Sequence, residues 1–161
     1  MATGMGQRRY DEVESEAGGG DPPAPMPAVT VHAAAEATLA LALAGERGVL
    51  LLSAPNAGGF LGPAWFLAIV AAARAAMPGV PHKPVLDCAD APGQALAALR
   101  AGVPEVVLDP ACPAFAQVAA VAAALGARIR DRRPRSLDLG PLDLTRAGAW
   151  AKLAAWLSGA G

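Results

Sequence analysis

Two aspartates close two short apolar runs in this 161-residue chain, Asp87 after Val85-Leu86 and Asp109 after Val106-Val107-Leu108. A third run, Gly48 to Ser53, closes on a serine. A carboxylate at a strand end can serve as a general acid or base, or can orient a substrate. It can equally accept loop amides or cap the helix that follows. Behind Ser53, the glycines Gly58, Gly59 and Gly62 suit a loop whose backbone amides approach an oxyanion. Their spacing matches neither the P-loop nor the dinucleotide fingerprint, and a plain strand-to-helix connection explains them as well.

Arg128, Arg130, Arg132, Arg133 and Arg135 form the densest charge cluster. If "ARIR" is a strand, Arg132, Arg133 and Arg135 share the face of Ser53 and Asp87. There they can receive a phosphate or carboxylate in fork geometry. No aromatic residue interleaves with them, so nucleic-acid binding is not expected. Cys88 and Cys112 follow successive strands and suit buried, space-filling thiols. Two cysteines make no disulfide framework, which points to a reducing, cytoplasmic setting.

The elements that must position these residues follow from periodicity and punctuation. Thr30 can cap a helix over 31 to 44 that ends at Gly45, and "GVLLLS" has the continuous apolar character of a strand covered on both faces. Pro63 suits the first turn of a helix over 63 to 76. "KPVLDC" is a second strand, Asp90 can cap a helix over 91 to 101, and "EVVLD" is a third strand. A helix over 113 to 125, the strand "ARIR" and a last helix capped by Asp143 complete the chain. Strands alternating with helices imply an α/β fold with a four-stranded parallel sheet, either half (β/α)-barrel-like or an open Rossmann-like sandwich. The βα unit recurs at about 21 residues from the second strand onward. Ligands of such folds bind at the carboxyl ends of the strands, where Ser53, Asp87 and Asp109 all stand.

Residues 1 to 28 are polar, acidic and rich in Gly and Pro, and too poor in large apolar side chains to offset the entropy of ordering. They are expected to be a disordered tail before a single α/β domain over 29 to 161. A net charge of −1 supplies no field to recruit nucleic acid or an anionic membrane, and charges, Pro and Gly interrupt every apolar run. On the last helix Trp150, Leu153 and Leu157 share a stripe suited to the core. Trp156 points elsewhere and, with uncovered sheet edges, suggests a homodimer.

The stretch "LLLSAPNAGGFLGPAWFLAIVAAARAAMPGVPHKPVLDCADAPGQALAALRAGVPEVVLDP" resembles the early part of class II fructose-bisphosphate aldolases, zinc-dependent (β/α) barrels. The resemblance implies that Ser53 contacts substrate, that Asp87 is the catalytic acid/base, and that Asp109 is the aspartate after the following strand. Cys88 stands where the family's zinc-binding histidine belongs, and Val85 replaces the earlier one. With only His32 and His82 in the chain, the three protein ligands of a catalytic zinc are not provided, so no metal and no cofactor are expected. The length also falls short of eight βα units, which take about 250 residues. The expected function is binding of a small anionic metabolite, phosphorylated or carboxylated, at the carboxyl ends of the strands. The ligand-binding set is Ser53, Gly58, Gly59, Asp109, Arg132, Arg133 and Arg135. An aldolase-like lyase using Asp87, and a scaffold or assembly subunit without ligand, are the alternatives.

Overall fold

Leucine- and valine-rich runs form the central strands, and alanine-rich runs between Gly and Pro form most of the helices. A computed structural model describes residues 25–159. In chain order it contains β1 (Ala28–Thr30), α1 (Ala34–Ala44), β2 (Val49–Leu52), α2 (Ala57–Phe60), α3 (Gly62–Ala76), β3 (His82–Asp87) and α4 (Pro92–Arg100). There follow β4 (Glu105–Val107), α5 (Phe115–Ala124), β5 (Arg128–Arg130), β6 (Ser136–Asp138) and α6 (Ala147–Ser158).

The fold is α/β with a parallel sheet, but the sheet has six strands where four were expected. The two extra strands, β1 and β6, are three residues long and pair with each other, Ala28 opposite Ser136 and Thr30 opposite Asp138. Segments this short carry too little periodicity to stand out from a loop. Thr30 is therefore a strand residue and not a helix cap. α1 begins three residues further on behind Ala33, which makes no side-chain cap. Instead the Glu36 carboxylate accepts the His32 N–H at 2.6 Å. Pro25, Met26 and Pro27, expected within the tail, run directly into β1, and Met26 packs against the sheet. The remainder of that expected tail lies outside the described residues.

The strand order is β5-β4-β3-β2-β1-β6, so the chain steps one place at a time from β1 to β5. Right-handed crossovers in one constant direction place every helix on the same side of the sheet. The helices accordingly neighbour one another in the order α5, α4, α3, α1, α6. Strand side chains alternate between two faces. Val29, Val49, Leu51, Leu86 and Val106 meet helix residues such as Leu41, Phe66, Leu99 and Leu153 in the main core. Ala28, Leu50, Leu52, Val85 and Val107 form a second, smaller cluster that, among the described residues, has no helix residue in it.

What covers that second face is the connection between β5 and β6, which lie at opposite edges of the sheet. Only residues 131 to 135 join them, too few for a helix. This strap crosses the helix-free face: Arg133 bonds to Thr30 of β1 and Asp87 of β3, and Pro134 and Arg135 line a cavity with Ala28 and Leu50. On α6, Leu153 and Leu157 are buried as expected. The two tryptophans exchange their expected roles. Trp150 is 46% exposed, whereas Trp156 is half-buried, donates from Nε1 to the Ala28 carbonyl at 2.8 Å and stacks under Arg135. The strap is what delivers that arginine. Among the described residues, no helix is long and apolar enough to cross a membrane.

Candidate functional site

The carboxyl ends of the strands hold a closed polar network. Asp87, the last residue of β3, is 4% exposed. Its Oδ1 accepts the backbone N–H groups of Asn56 at 3.1 Å and Ala89 at 2.9 Å. Its Oδ2 accepts Arg133 Nη1 at 2.7 Å. The same guanidinium donates from Nη2 to the Thr30 hydroxyl at 2.9 Å and the Ser53 carbonyl at 2.8 Å. Ser53 Oγ accepts the Asp87 N–H at 2.9 Å and lies 3.0 Å from the Ala54 carbonyl, to which it donates. A buried carboxylate needs partners for its lone pairs, and here they come from two loop amides and one forked cation. The network ties β1, the end of β2, β3 and the strap together.

The two amides that Asp87 accepts belong to residues with left-handed backbones, Asn56 at φ 56° and Ala89 at φ 47°. Alanine gains nothing from that conformation, so the carboxylate helps to hold the turn. Gly58 and Gly59 serve packing. A Cβ on Gly58 would lie 2.7 Å from Cys88 Sγ and 3.2 Å from the Asp87 carbonyl, and one on Gly59 would lie 2.8 Å from Asn56 Oδ1. Glycine lets the short α2 turn sit against the end of β3. Burial, reinforced by the adjacent Asp87 charge, pushes the Cys88 thiol up to about 12, which keeps it protonated and unreactive. Cys112 is also a buried free thiol.

Ser53, Asp87 and Arg133 thus converge, as the sequence suggested, but on one another. Asp109 is exposed and closes its own turn, accepting the Ala111 N–H at 2.8 Å. Arg132 is exposed and forms no ion pair among the described residues. Arg135 leaves this end of the sheet altogether.

Sequence reasoning passed over a pair beside the network. His32 Nε2 lies 2.7 Å from Asp138 Oδ1, with 38% and 50% of the two side chains exposed. Asp138 also accepts the Gly140 N–H at 3.0 Å, and a Cβ at Gly140 would press to 2.9 Å from the His32 ring. Partial burial pushes the Asp138 pKa up. The hydrogen bonds from His32 and Gly140, with the charges of His32 and Arg133, outweigh it and hold the carboxyl below its ordinary value. His32 and Asp138 stand 106 positions apart, and only the pairing of β1 with β6 brings them together. Among the described residues, no three His, Cys, Asp or Glu side chains gather as a metal site.

At the other end of the helix-free face lies a cavity of about 480 Å³. Arg47, Lys83, Arg130 and Arg135 supply four cations to its wall, and Leu50 and Trp156 give it an apolar floor. Arg130 packs its Nε against the buried carboxylate of Glu105, the first residue of β4. Arg47 donates to the Ser158 carbonyl at 2.5 Å, at the end of α6. Arg135 lies 5.0 Å over the Trp156 ring, close enough for a cation–π contact. Among the described residues, only Arg130 of the four has a carboxylate within ion-pair distance. The size of the cavity is that of small-molecule sites in general, and its cations are of the kind that suit anionic oxygens. No protein-family model matches the chain, and neither does any curated protein.

Proposed function

We propose that this chain is a non-catalytic binding domain for a small organic anion, phosphorylated or carboxylated. The ligand is held on the helix-free face between Arg47, Lys83, Arg130 and Arg135. The observation that carries the reading is the contrast in charge between the two ends of that face. Arg133 at the carboxyl ends is matched by Asp87, whereas among the described residues the four cations around the cavity share the one carboxylate of Glu105. Forked guanidinium donors suit phosphate and carboxylate oxygens, and Leu50 and Trp156 suit an apolar body attached to them. The expected ligand set therefore shifts: Arg135 keeps a binding role, while Ser53, Gly58, Gly59, Asp109, Arg132 and Arg133 do not line this cavity.

A thermal-shift panel of phosphorylated sugars and short carboxylates tests the reading, followed by titration calorimetry on the best compound. Binding should weaken at least about tenfold in Lys83→Gln/Arg135→Gln, the loss of one or two charge-assisted hydrogen bonds. A panel in which no compound raises the melting temperature would remove it.

The finer architecture belongs to the same proposal. Six parallel strands stepping in order, with helices on one side only, support a half (β/α)-barrel-like sheet. The open edges at β5 and β6 support a homodimer, which light scattering at high protein concentration would detect. One observation favours a second functional reading, an aldolase-like lyase acting on a phosphorylated carbonyl compound. His32, oriented by Asp138 at the carboxyl ends, is a half-exposed acid–base pair. Turnover of such a compound that disappears in His32→Gln, with unchanged stability, would replace binding by catalysis.

A further inference from the structure

The cavity has a candidate occupant in the chain itself. Asp11, Glu12, Glu14, Glu16 and Asp21 lie just upstream of Pro25, the first described residue of the cavity wall. Residues 1 to 24 carry these five acids against Arg8 and Arg9, while the rest of the chain carries more cations than acids. The near-neutral total therefore conceals an acidic segment attached to the rim of a basic cavity. Asp21 stands four positions from Pro25, and a chain reaches roughly 3.4 Å per residue. Every acid from Asp11 to Asp21 is thus within tether distance of Lys83, Arg130 and Arg135. A tether this short gives an effective concentration on the order of millimolar, enough for weak ion pairs to hold.

We infer that the acidic segment 11 to 21 docks on the cations of this cavity and competes there with the anionic ligand. The inference rests on the cavity being the anion site, and the segment is then its built-in competitor. Binding is consequently weaker in the intact chain than the cavity alone would allow. The contest is electrostatic and exposed, so salt reduces it.

The chain has two lysines, which makes a zero-length cross-link decisive. A carbodiimide activates a carboxylate, and an amine in contact with it forms the amide as the reagent leaves as its urea. Lys83 lines the cavity, whereas Lys152 is exposed on α6 and does not, so it serves as the internal control. Mass spectrometry of the full-length monomer should find peptides joining Lys83 to the 11 to 21 stretch, at least about tenfold more than joins to Lys152. They should be lost in about 0.5 M salt, where screening is nearly complete. Equal joining of the two lysines overturns the inference. The same pair found only in a covalent dimer assigns the cavity to a second copy, which also overturns it.

A second arm separates this inference from the function on which it rests. Inorganic pyrophosphate is titrated into the full chain and into the full-chain variant Asp11→Asn/Glu12→Gln/Glu14→Gln/Glu16→Gln/Asp21→Asn. The variant should bind about fivefold more tightly at low salt. Equal affinity in the two proteins overturns the docking and leaves the anion site standing. A Lys83 cross-link with no pyrophosphate binding by the variant overturns the anion site and supports docking alone.

Discussion

The two ends of the helix-free face use the same residue type for opposite purposes. At the carboxyl ends, Arg133 is surrounded by acceptors from Asp87, Thr30 and Ser53 that leave the pair nothing to ask of a ligand. At the amino ends, Arg47, Lys83, Arg130 and Arg135 share, among the described residues, one carboxylate around an open cavity. Ligands of parallel α/β sheets are expected at the carboxyl ends. In this protein the strap fills that end with an arginine and leaves the space at the other. A charged residue at a strand end is therefore informative only once its partners are known. Matched charge is structural, and surplus charge is available.

The largest expected effect comes from breaking the matched end. Arg133→Met leaves the Asp87 carboxylate buried without its counter-ion, which should cost about 3 kcal/mol. Urea unfolding would measure it, with an unchanged slope showing that the native fold persists. Asp87→Asn in the same background should cost less than its effect alone, because the two residues act as one unit. If Arg133→Met is instead neutral in stability, the matched and surplus ends do not differ as argued.

Gly58→Ala tests the packing on which the network stands. Its Cβ would meet Cys88 Sγ at 2.7 Å, and relieving that contact should cost about 2 kcal/mol through displacement of the α2 turn. The melting temperature would fall by roughly 5 °C or more for a domain of this size. Gly58→Ala that left stability and anion binding alike unaffected would show the glycine to be incidental.

The surplus end should respond the other way. Lys83→Gln should change stability by no more than about 0.5 kcal/mol, since the side chain is exposed and unpaired among the described residues. Arg135→Gln loses the contact over Trp156 and should cost about 0.5 kcal/mol. Both should nevertheless weaken anion binding, and this separation of stability from affinity is what distinguishes the two ends.

The smallest effect is the acid response of Asp138. Its folded pKa is depressed, so its contribution to stability is full above the unfolded carboxylate value of about 3.9 and is lost as the pH falls through the folded value. Because the pair is half-exposed, the contribution is only a few tenths of a kcal/mol. Asp138→Asn should lower stability slightly at pH 7 and leave it unchanged near pH 2. An equal loss at both values would assign the effect to the Gly140 turn and not to charge.

Much of the fold is legible in the sequence. The helices at 63 to 76, 91 to 101 and 113 to 125 are bounded by proline and glycine, and appear as Gly62–Ala76, Pro92–Arg100 and Phe115–Ala124. Each is long enough for its apolar pattern to outweigh noise. β1 and β6 were not legible, because three residues of strand owe their conformation to the neighbour they pair with. The candidate site divides in the same way. Ser53 and Asp87 could be placed together because both end apolar runs at successive strands. Their shared partner Arg133 could not be separated from Arg132 and Arg135, since which arginine turns inward depends on the path of the strap.

Local sequence determined the alternation of helix and strand, the parallel sheet and the placing of polar residues at strand ends. These follow from side-chain periodicity and backbone preference, which neighbouring residues alone decide. Tertiary structure alone decided which charges are neutralised. The pairing of Asp87 with Arg133, of Asp138 with His32 and of Glu105 with Arg130 each joins residues far apart in the chain. The strap from β5 to β6 sets the first, the pairing of β1 with β6 the second and the pairing of β4 with β5 the third, and each is a contact that sequence neighbours do not make.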